Sequence, residues 1–213
     1  ELLIGRPSGS PLFEEYLRGS ETVAPFYSGS WQDPKAYRTL LDSVDARFDS
    51  DARRSALRAL QVPDSIDKER LDRWTEQGGV IVTTGQQPGL LGGPLYSLYK
   101  GISAVRLAAQ LEGLLARPVL PVFWVASEDH DWDEADHTYL IDTANALVRL
   151  QVRDPGHANR ALHRIPLGEE VLDLVEQAVQ NFPETDFSAH YVDLLRESYK
   201  PGATLADGFT GVL

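Results

Sequence analysis

The sequence predicts an α/β protein with a Rossmann-like parallel sheet at its core, a helical N-terminal extension before it and a small α+β insertion after it. Residues 80–83 and 119–126 are nearly continuous apolar runs, as expected of strands covered on both faces of a parallel sheet. Between them, residues 94–115 read as a helix, and Arg117-Pro118 supplies the short loop that such a βαβ unit needs. Each strand is followed by an unusual segment. The first is Thr83-Thr84-Gly85-Gln86-Gln87-Pro88-Gly89-Leu90-Leu91-Gly92-Gly93-Pro94, and the second is Ser127-Glu128-Asp129-His130-Asp131-Trp132-Asp133. Both fall at carboxyl ends of strands, where α/β proteins gather their ligands.

The remaining elements follow from local signals. Residues 1–32 hold no sustained period and carry Gly5, Pro7, Gly9, Pro11, Gly19, Pro25 and Gly29, so irregular structure is expected, with one helical turn over 12–17. Asp33-Pro34 is a helix start, a capping side chain ahead of a proline at the first helical position. Tyr37, Leu40, Leu41, Val44 and Phe48 then recur at helical spacing. Helices are expected over 51–60 and 65–76, the latter stopped by Gly78-Gly79. In the central helix Leu98, Ile102, Val105, Ala109 and Leu111 are available for the buried face. Residues 137–141 and 146–152 read as a hairpin closed by Asp142-Thr143-Ala144-Asn145, and 161–166 as a third strand. Amphipathic helices are expected over 169–181 and 187–199, each followed by a proline. The expected division is an extension over 1–78, the first half of the core over 79–136, and the insertion with the following helices over 137–213.

A chain of 213 residues can bury a proper core, and 42% apolar with 24% charged residues is ordinary for a globular protein. The net charge of −12 argues against nucleic acid and anionic membrane surfaces as partners. No apolar run approaches the ~20 residues of a spanning helix. The lack of cysteine excludes disulfides, thiolate metal sites and a cysteine nucleophile, and fits a cytoplasmic setting. There is no methionine, even at position 1, and residues 204–213 read like the opening of a helix. A piece of a longer protein is therefore expected.

Four glycines fall within the nine residues from Gly85 to Gly93. Glycine permits positive φ and close approach of backbone to a ligand, and N–H groups ahead of a helix favour phosphate or carboxylate. The Gly-Lys-Ser/Thr ending of a P-loop is absent, and the dinucleotide glycine spacing is not met. Gln86 and Gln87 offer amide donors and acceptors to a polar small molecule; the alternative is a turn whose glycines serve packing alone. Tyr96 and Lys100, four apart, share a helix face, where the lysine could hold an anion or simply be solvated. Glu128, Asp129, Asp131, Asp133, Glu134 and Asp136 crowd together with His130 and His137. Such a run needs a cationic answer, whether Mg²⁺, a substrate ammonium group, or protein lysines and arginines. His130 could act as a general base or contact a ribose, or be tucked against backbone in a solvated loop. Function is favoured for Glu128, Asp129 and His130, not for residues 133–137, and no metal-ligand spacing is present. His157, His163 and His190 read as structural or surface. Trp31, Trp74, Trp124 and Trp132 read as core, with Trp132 alone placed to offer a stacking surface.

Thr84-Gly85-Gln86-Gln87, Gly92-Gly93-Pro94-Leu95-Tyr96 and Tyr99-Lys100 resemble the signature of the bacillithiol biosynthesis cysteine-adding enzymes. So does Pro121-Val122-Phe123-Trp124-Val125-Ala126-Ser127-Glu128-Asp129-His130-Asp131, and Phe13–Tyr16 followed by Phe26-Tyr27 also matches. The resemblance is dense from about residue 80 to 140 and looser elsewhere. It implies a cytoplasmic bacterial ligase that joins cysteine to glucosaminyl-malate by an amide bond. It also implies a core similar to class I aminoacyl-tRNA synthetases and nucleotidyltransferases, and a homodimer formed through a C-terminal coiled coil. ATP and Mg²⁺ are the candidate cofactors, for activation of the cysteine carboxylate. On this reading Gly85, Gln86, Gln87, Gly92 and Gly93 cradle polar or phosphate groups, with Tyr96 and Ser127 beside them and Lys100 offsetting negative charge. Glu128 and Asp129 hold an ammonium group, His130 contacts ribose or relays a proton, and Gln87 joins them at the reacting centre. The alternative is a nucleotide- or metabolite-binding module whose chemistry lies elsewhere.

Overall fold

The computed structural model describes residues 9–62, 68–156 and 159–213. Gly5, Pro7, the expected helix start at Ser65 and His157 lie outside the described residues. The chain forms two compact units, whose limits fall within the central strands and helix rather than between elements.

The described residues up to Val82 form the first unit together with Leu107–Leu120. Helix α1 (Pro11–Arg18) is capped by Ser10, whose hydroxyl accepts from the Phe13 N–H, and is closed by Gly19 at φ 67°. Helix α2 (Pro34–Asp45) starts as the sequence predicts, the Asp33 carboxylate accepting the Lys35 N–H at 2.9 Å. Asp49 caps α3 (Ser50–Ala59) in the same manner, and α4 (Lys68–Gln77) follows. Phe48 lies beyond the end of α2 and is half exposed, so the expected helical stripe shrinks to the buried Leu41 with partly covered neighbours. The core of this unit is Ala108, Leu111 and Val119 packed with Tyr37, Val80, Val82, Leu114 and Leu115. The Trp74 indole N–H donates to the Val80 carbonyl at 3.2 Å, and the Arg70 guanidinium pairs with Glu112 while donating to the Val119 carbonyl. Buried Arg53 is answered by Asp45, which also accepts the Gly79 N–H.

Strands β1 (Val80–Gln86) and β2 (Val119–Val125) pair in parallel. Their direction is read from two hydrogen bonds, Val80 N–H to Pro118 O at 3.3 Å and Ala126 N–H to Gln86 O at 3.0 Å. Strand β1 runs three residues beyond the predicted 80–83, so Gly85 is a strand residue. A Cβ there would stand 2.8 Å from the Trp124 carbonyl oxygen and 3.0 Å from the Trp124 Cβ, so only glycine lets β1 lie this close to β2.

Helix α5 (Leu95–Leu115) matches its predicted bounds, but not its predicted face. Of the expected face Leu111 is buried while Leu98, Ile102, Val105 and Ala109 are exposed; Ser97, Ala104 and Ala108 are buried instead. The helix's own apolar residues fall on several sides, so periodicity could not choose a face, and small residues are the ones that permit close packing.

Residues Thr83–Arg106 and Pro121–Leu213 make the second unit. One turn of helix, α6 (Trp132–Ala135), leads into a hairpin of β3 (His137–Ile141) and β4 (Leu147–Gln151), in register with Tyr139 opposite Arg149. The Asp142 carboxylate accepts the Ala144 and Ala146 N–H groups and so closes the turn. Residues 161–166 are not a strand: Leu162–Arg164 form a 3₁₀ turn, and only Pro166 makes a bridge, to Thr204. Leu162 and Ile165, three apart, are both buried, which suits a tight turn rather than alternation. Helices α7 (Glu170–Gln180), α8 (Ser188–Ser198) and α9 (Leu205–Val212) follow, the last opened by a reciprocal Thr204–Asp207 capping box. Trp132 is buried in this core and offers no stacking surface, whereas Trp124, expected in the core, is 68% exposed.

Gly85→Ala forces β1 and β2 apart at their closest approach. A loss of roughly 1–3 kcal/mol is expected, read as a lowered midpoint in urea unfolding. An unchanged midpoint would mean that the strands relax without cost.

Candidate functional site

The parallel pairing of β1 and β2 delivers the glycine loop and the acidic loop to the same end of the sheet, within the second unit. Gln86 ends β1, and its side chain is held from both sides. Its amide N–H donates to the Tyr96 hydroxyl at 3.0 Å, and its carbonyl oxygen accepts from the Lys100 ammonium at 2.8 Å. Lys100 also donates to the Gly85 carbonyl at 3.1 Å and lies 5.2 Å from the centre of the Tyr96 ring. The next residue reaches the other loop: the Gln87 amide donates to Asp129 Oδ2 at 2.6 Å. Asp129 Oδ1 accepts the Asp131 N–H at 2.8 Å.

These contacts fix the charge of Asp129. The Asp131 N–H, and then the Gln87 amide, hold its carboxyl below the ordinary value of 3.8, outweighing the opposing effect of burial. Asp129 is thus a permanent carboxylate near neutral pH rather than a poised base. Its stabilising contribution is present above 3.8 and is lost as pH falls through the lower folded value.

A small cavity of about 80 Å³ opens beside this pair, lined by Gln86, Gln87, Pro88, Pro94, Tyr96, Asp131, Glu134 and Ala135. Of the residues singled out in the sequence, Gln86, Gln87 and Tyr96 line it. Lys100 and Asp129 hold lining residues in place. Glu128 and His130 are exposed and outside the lining; half-buried Ser127 is outside it too, its carbonyl accepting from the His163 backbone N–H and the imidazole Nδ1–H. His163 therefore braces the acidic loop rather than standing alone. The Arg164 Nε–H donates to His163 Nε2 at 3.2 Å, which leaves the proton on Nδ1.

The glycine loop is not an open set of donors. The Gly92 N–H donates to the Tyr199 hydroxyl at 3.0 Å, and the Gly93 N–H donates to the Leu90 carbonyl at 3.0 Å. Both groups expected to cradle a ligand are already used. Leu91, Gly92 and Gly93 take φ of 52°, 90° and 67° in succession. At Leu91 this left-handed conformation costs about 1 kcal/mol and needs surrounding contacts to hold it. Asp131 and Glu134 line the cavity, although the sequence favoured Glu128, Asp129 and His130 and set residues 133–137 aside. Their signal was the acidic run itself, which did not say which carboxylates face inward. Among the described residues, no three His, Asp or Glu side chains gather as a metal site.

Carbon-13 titration of the Asp129 carboxyl is expected to give a midpoint below 3.8. In Gln87→Ala it should rise toward that value without reaching it, because the Asp131 N–H remains. A midpoint that ignores the Gln87 substitution would contradict the bond between the loops.

Comparison with known proteins places the chain. A family model described as bacillithiol biosynthesis BshC, N-terminal Rossmann-like domain, matches residues 3–213. A relative from Salinibacter ruber is 33% identical over 95% of this chain and 38% of its own length, and one from Solibacter usitatus is 32% identical over 97% and 38%. A third, from Staphylococcus carnosus, is 31% identical over 100% of this chain and 40% of its own length. Each of these proteins bears the name "Putative cysteine ligase BshC". The chain spans about 38% of the length of the first two. Among the described residues no helix is long and apolar enough to cross a membrane. The match across nearly all its residues shows that this chain belongs to the bacillithiol biosynthesis BshC family, in the N-terminal Rossmann-like domain.

Proposed function

We propose that the chain is the substrate-binding part of a cysteine ligase, which forms an amide between the cysteine carboxyl and the amine of glucosaminyl-malate. The observation that carries this reading is the 2.6 Å bond from Gln87 to Asp129, which joins two loops at the ends of neighbouring parallel strands beside one cavity. The names of the relatives supply the reaction class.

The chemistry of the lining favours an amine-bearing, hydroxylated ligand. Two amides and a phenol present neutral donors and acceptors, while the carboxylates of Asp131 and Glu134 attract an ammonium group. This moves the ammonium-holding role from Glu128 and Asp129 to Asp131 and Glu134, with Asp129 orienting Gln87. A triphosphate fits these groups poorly: the Gly92 and Gly93 N–H groups are spent, Lys100 is bound to the strand end, and two carboxylates face the space. In this proposal any activation of cysteine by ATP with Mg²⁺ takes place outside this cavity. Exposed His130 is left for contact with a further substrate or with the rest of the protein. Cytoplasmic location and a coiled-coil homodimer belong to the same proposal.

The test is mass spectrometry of cysteine, glucosaminyl-malate, ATP and magnesium with the full-length enzyme. A product of the amide-linked mass is expected, and Gln87→Ala should lower kcat/KM about tenfold or more through the lost charge-assisted bond. Glu134→Gln should raise KM for the amine substrate and leave that for cysteine unchanged. Absence of product from a folded enzyme would overturn the ligase reading. Full turnover by Gln87→Ala would remove the site.

A further inference from the structure

We propose that Tyr199 is the positioning residue for the glycine loop, and that its hydroxyl sets the shape of the cavity wall from beneath. The inference rests on the site reading above but goes beyond it, because Tyr199 neither lines the cavity nor belongs to either motif.

Tyr199 sits just past the end of α8, more than a hundred positions from the loop in sequence, with its side chain fully buried. Its hydroxyl bridges the loop: it accepts the Gly92 N–H at 3.0 Å and donates to the Gly89 carbonyl at 3.1 Å. The single proton of a phenol can go to one acceptor, so donation to Gly89 turns the lone pairs toward the N–H side. The hydroxyl thereby pins both ends of the segment that holds Leu91 in its left-handed conformation. That segment connects Gln87-Pro88 to Pro94 and Tyr96, all of which line the cavity. Burial pushes the phenol well above its usual range, so it remains neutral and able both to donate and to accept.

The ring is seated as tightly as the hydroxyl. A Cβ on Gly208 of α9 would lie 2.4 Å from the Tyr199 ring, so the absence of a side chain there makes the place for it. Leu90, on the loop itself, belongs to the same buried cluster as Tyr199 and Leu205. The loop is thus bound from below by a ring that α9 locates and by a hydroxyl that the loop's own backbone saturates. Gly92 serves a donor role toward the protein, not toward a ligand.

Tyr199→Phe removes one oxygen and keeps the packing of the ring. In the full-length protein, hydrogen exchange in peptides covering residues 89–93 should speed up roughly tenfold or more, as expected when a buried N–H loses its partner. Exchange across α7 should be unchanged. KM for the amine substrate should rise by a similar factor while kcat stays within about twofold, since no reacting atom is touched. Gly208→Ala, which keeps the hydroxyl but crowds the ring, should loosen the same loop. A loop equally protected in both variants would overturn the proposal, as would acceleration spread evenly over the whole unit. If the wild-type enzyme shows no turnover, the ligase reading fails, and the exchange measurement still decides the role of Tyr199.

Discussion

Two parallel strands emerge at the same end of a sheet, so whatever follows each of them must share one small region of space. In this chain β1 is followed by Gln87 and β2 by Asp129, and the 2.6 Å bond between them is the consequence. Its geometry depends on how closely the strands approach, and that in turn depends on Gly85, where a side chain would meet the Trp124 backbone. A glycine that resembles part of a ligand loop is therefore first a condition of strand pairing. The other site contacts follow from where it leaves Gln86, between Tyr96 and Lys100 on the first turns of α5.

Hydrogen-bonding capacity around the cavity is largely committed within the protein. Lys100 gives two of its three N–H donors to the strand end, Gly92 is committed to Tyr199, Gly93 to Leu90, and Asp129 to Gln87 and the Asp131 N–H. What remains facing the space is carboxylate, amide and phenol. An acidic chain with net charge −12 thus presents an acidic rim, and a cationic or hydroxylated ligand suits it better than an anion.

Much of this was legible in the sequence where local chemistry decides the outcome. Asp33-Pro34 opened a helix, the two apolar runs became parallel strands, and the loops after them met. Reading failed where the answer lay at long range or where the pattern was ambiguous. The face of α5 could not be chosen from a helix whose apolar residues fall on several sides, and the buried side went to Ser97, Ala104 and Ala108 instead of Leu98, Ile102 and Val105. Trp132 is in the core as its type suggests, carried inward by the one turn of helix α6, whereas Trp124 on β2 is exposed against expectation. No local signal connects Tyr199 to Gly92, so a loop of apparently free donors proved to be satisfied from below. The acidic run announced a site without telling which carboxylates face it. Asp131 caps α6 through the Glu134 N–H, and that turn brings both to the cavity.

A double-mutant cycle between Gln87 and Asp129 tests the meeting of the two loops most directly. Gln87→Ala, Asp129→Ala and the double variant would be compared by urea unfolding. A coupling energy of about 1 kcal/mol or more is expected for a hydrogen bond to a charged group, so that Gln87→Ala costs less in the Asp129→Ala background than in the wild type. Strictly additive losses would mean that the two loops do not hold each other, and the account of one site built from both strand ends would fall.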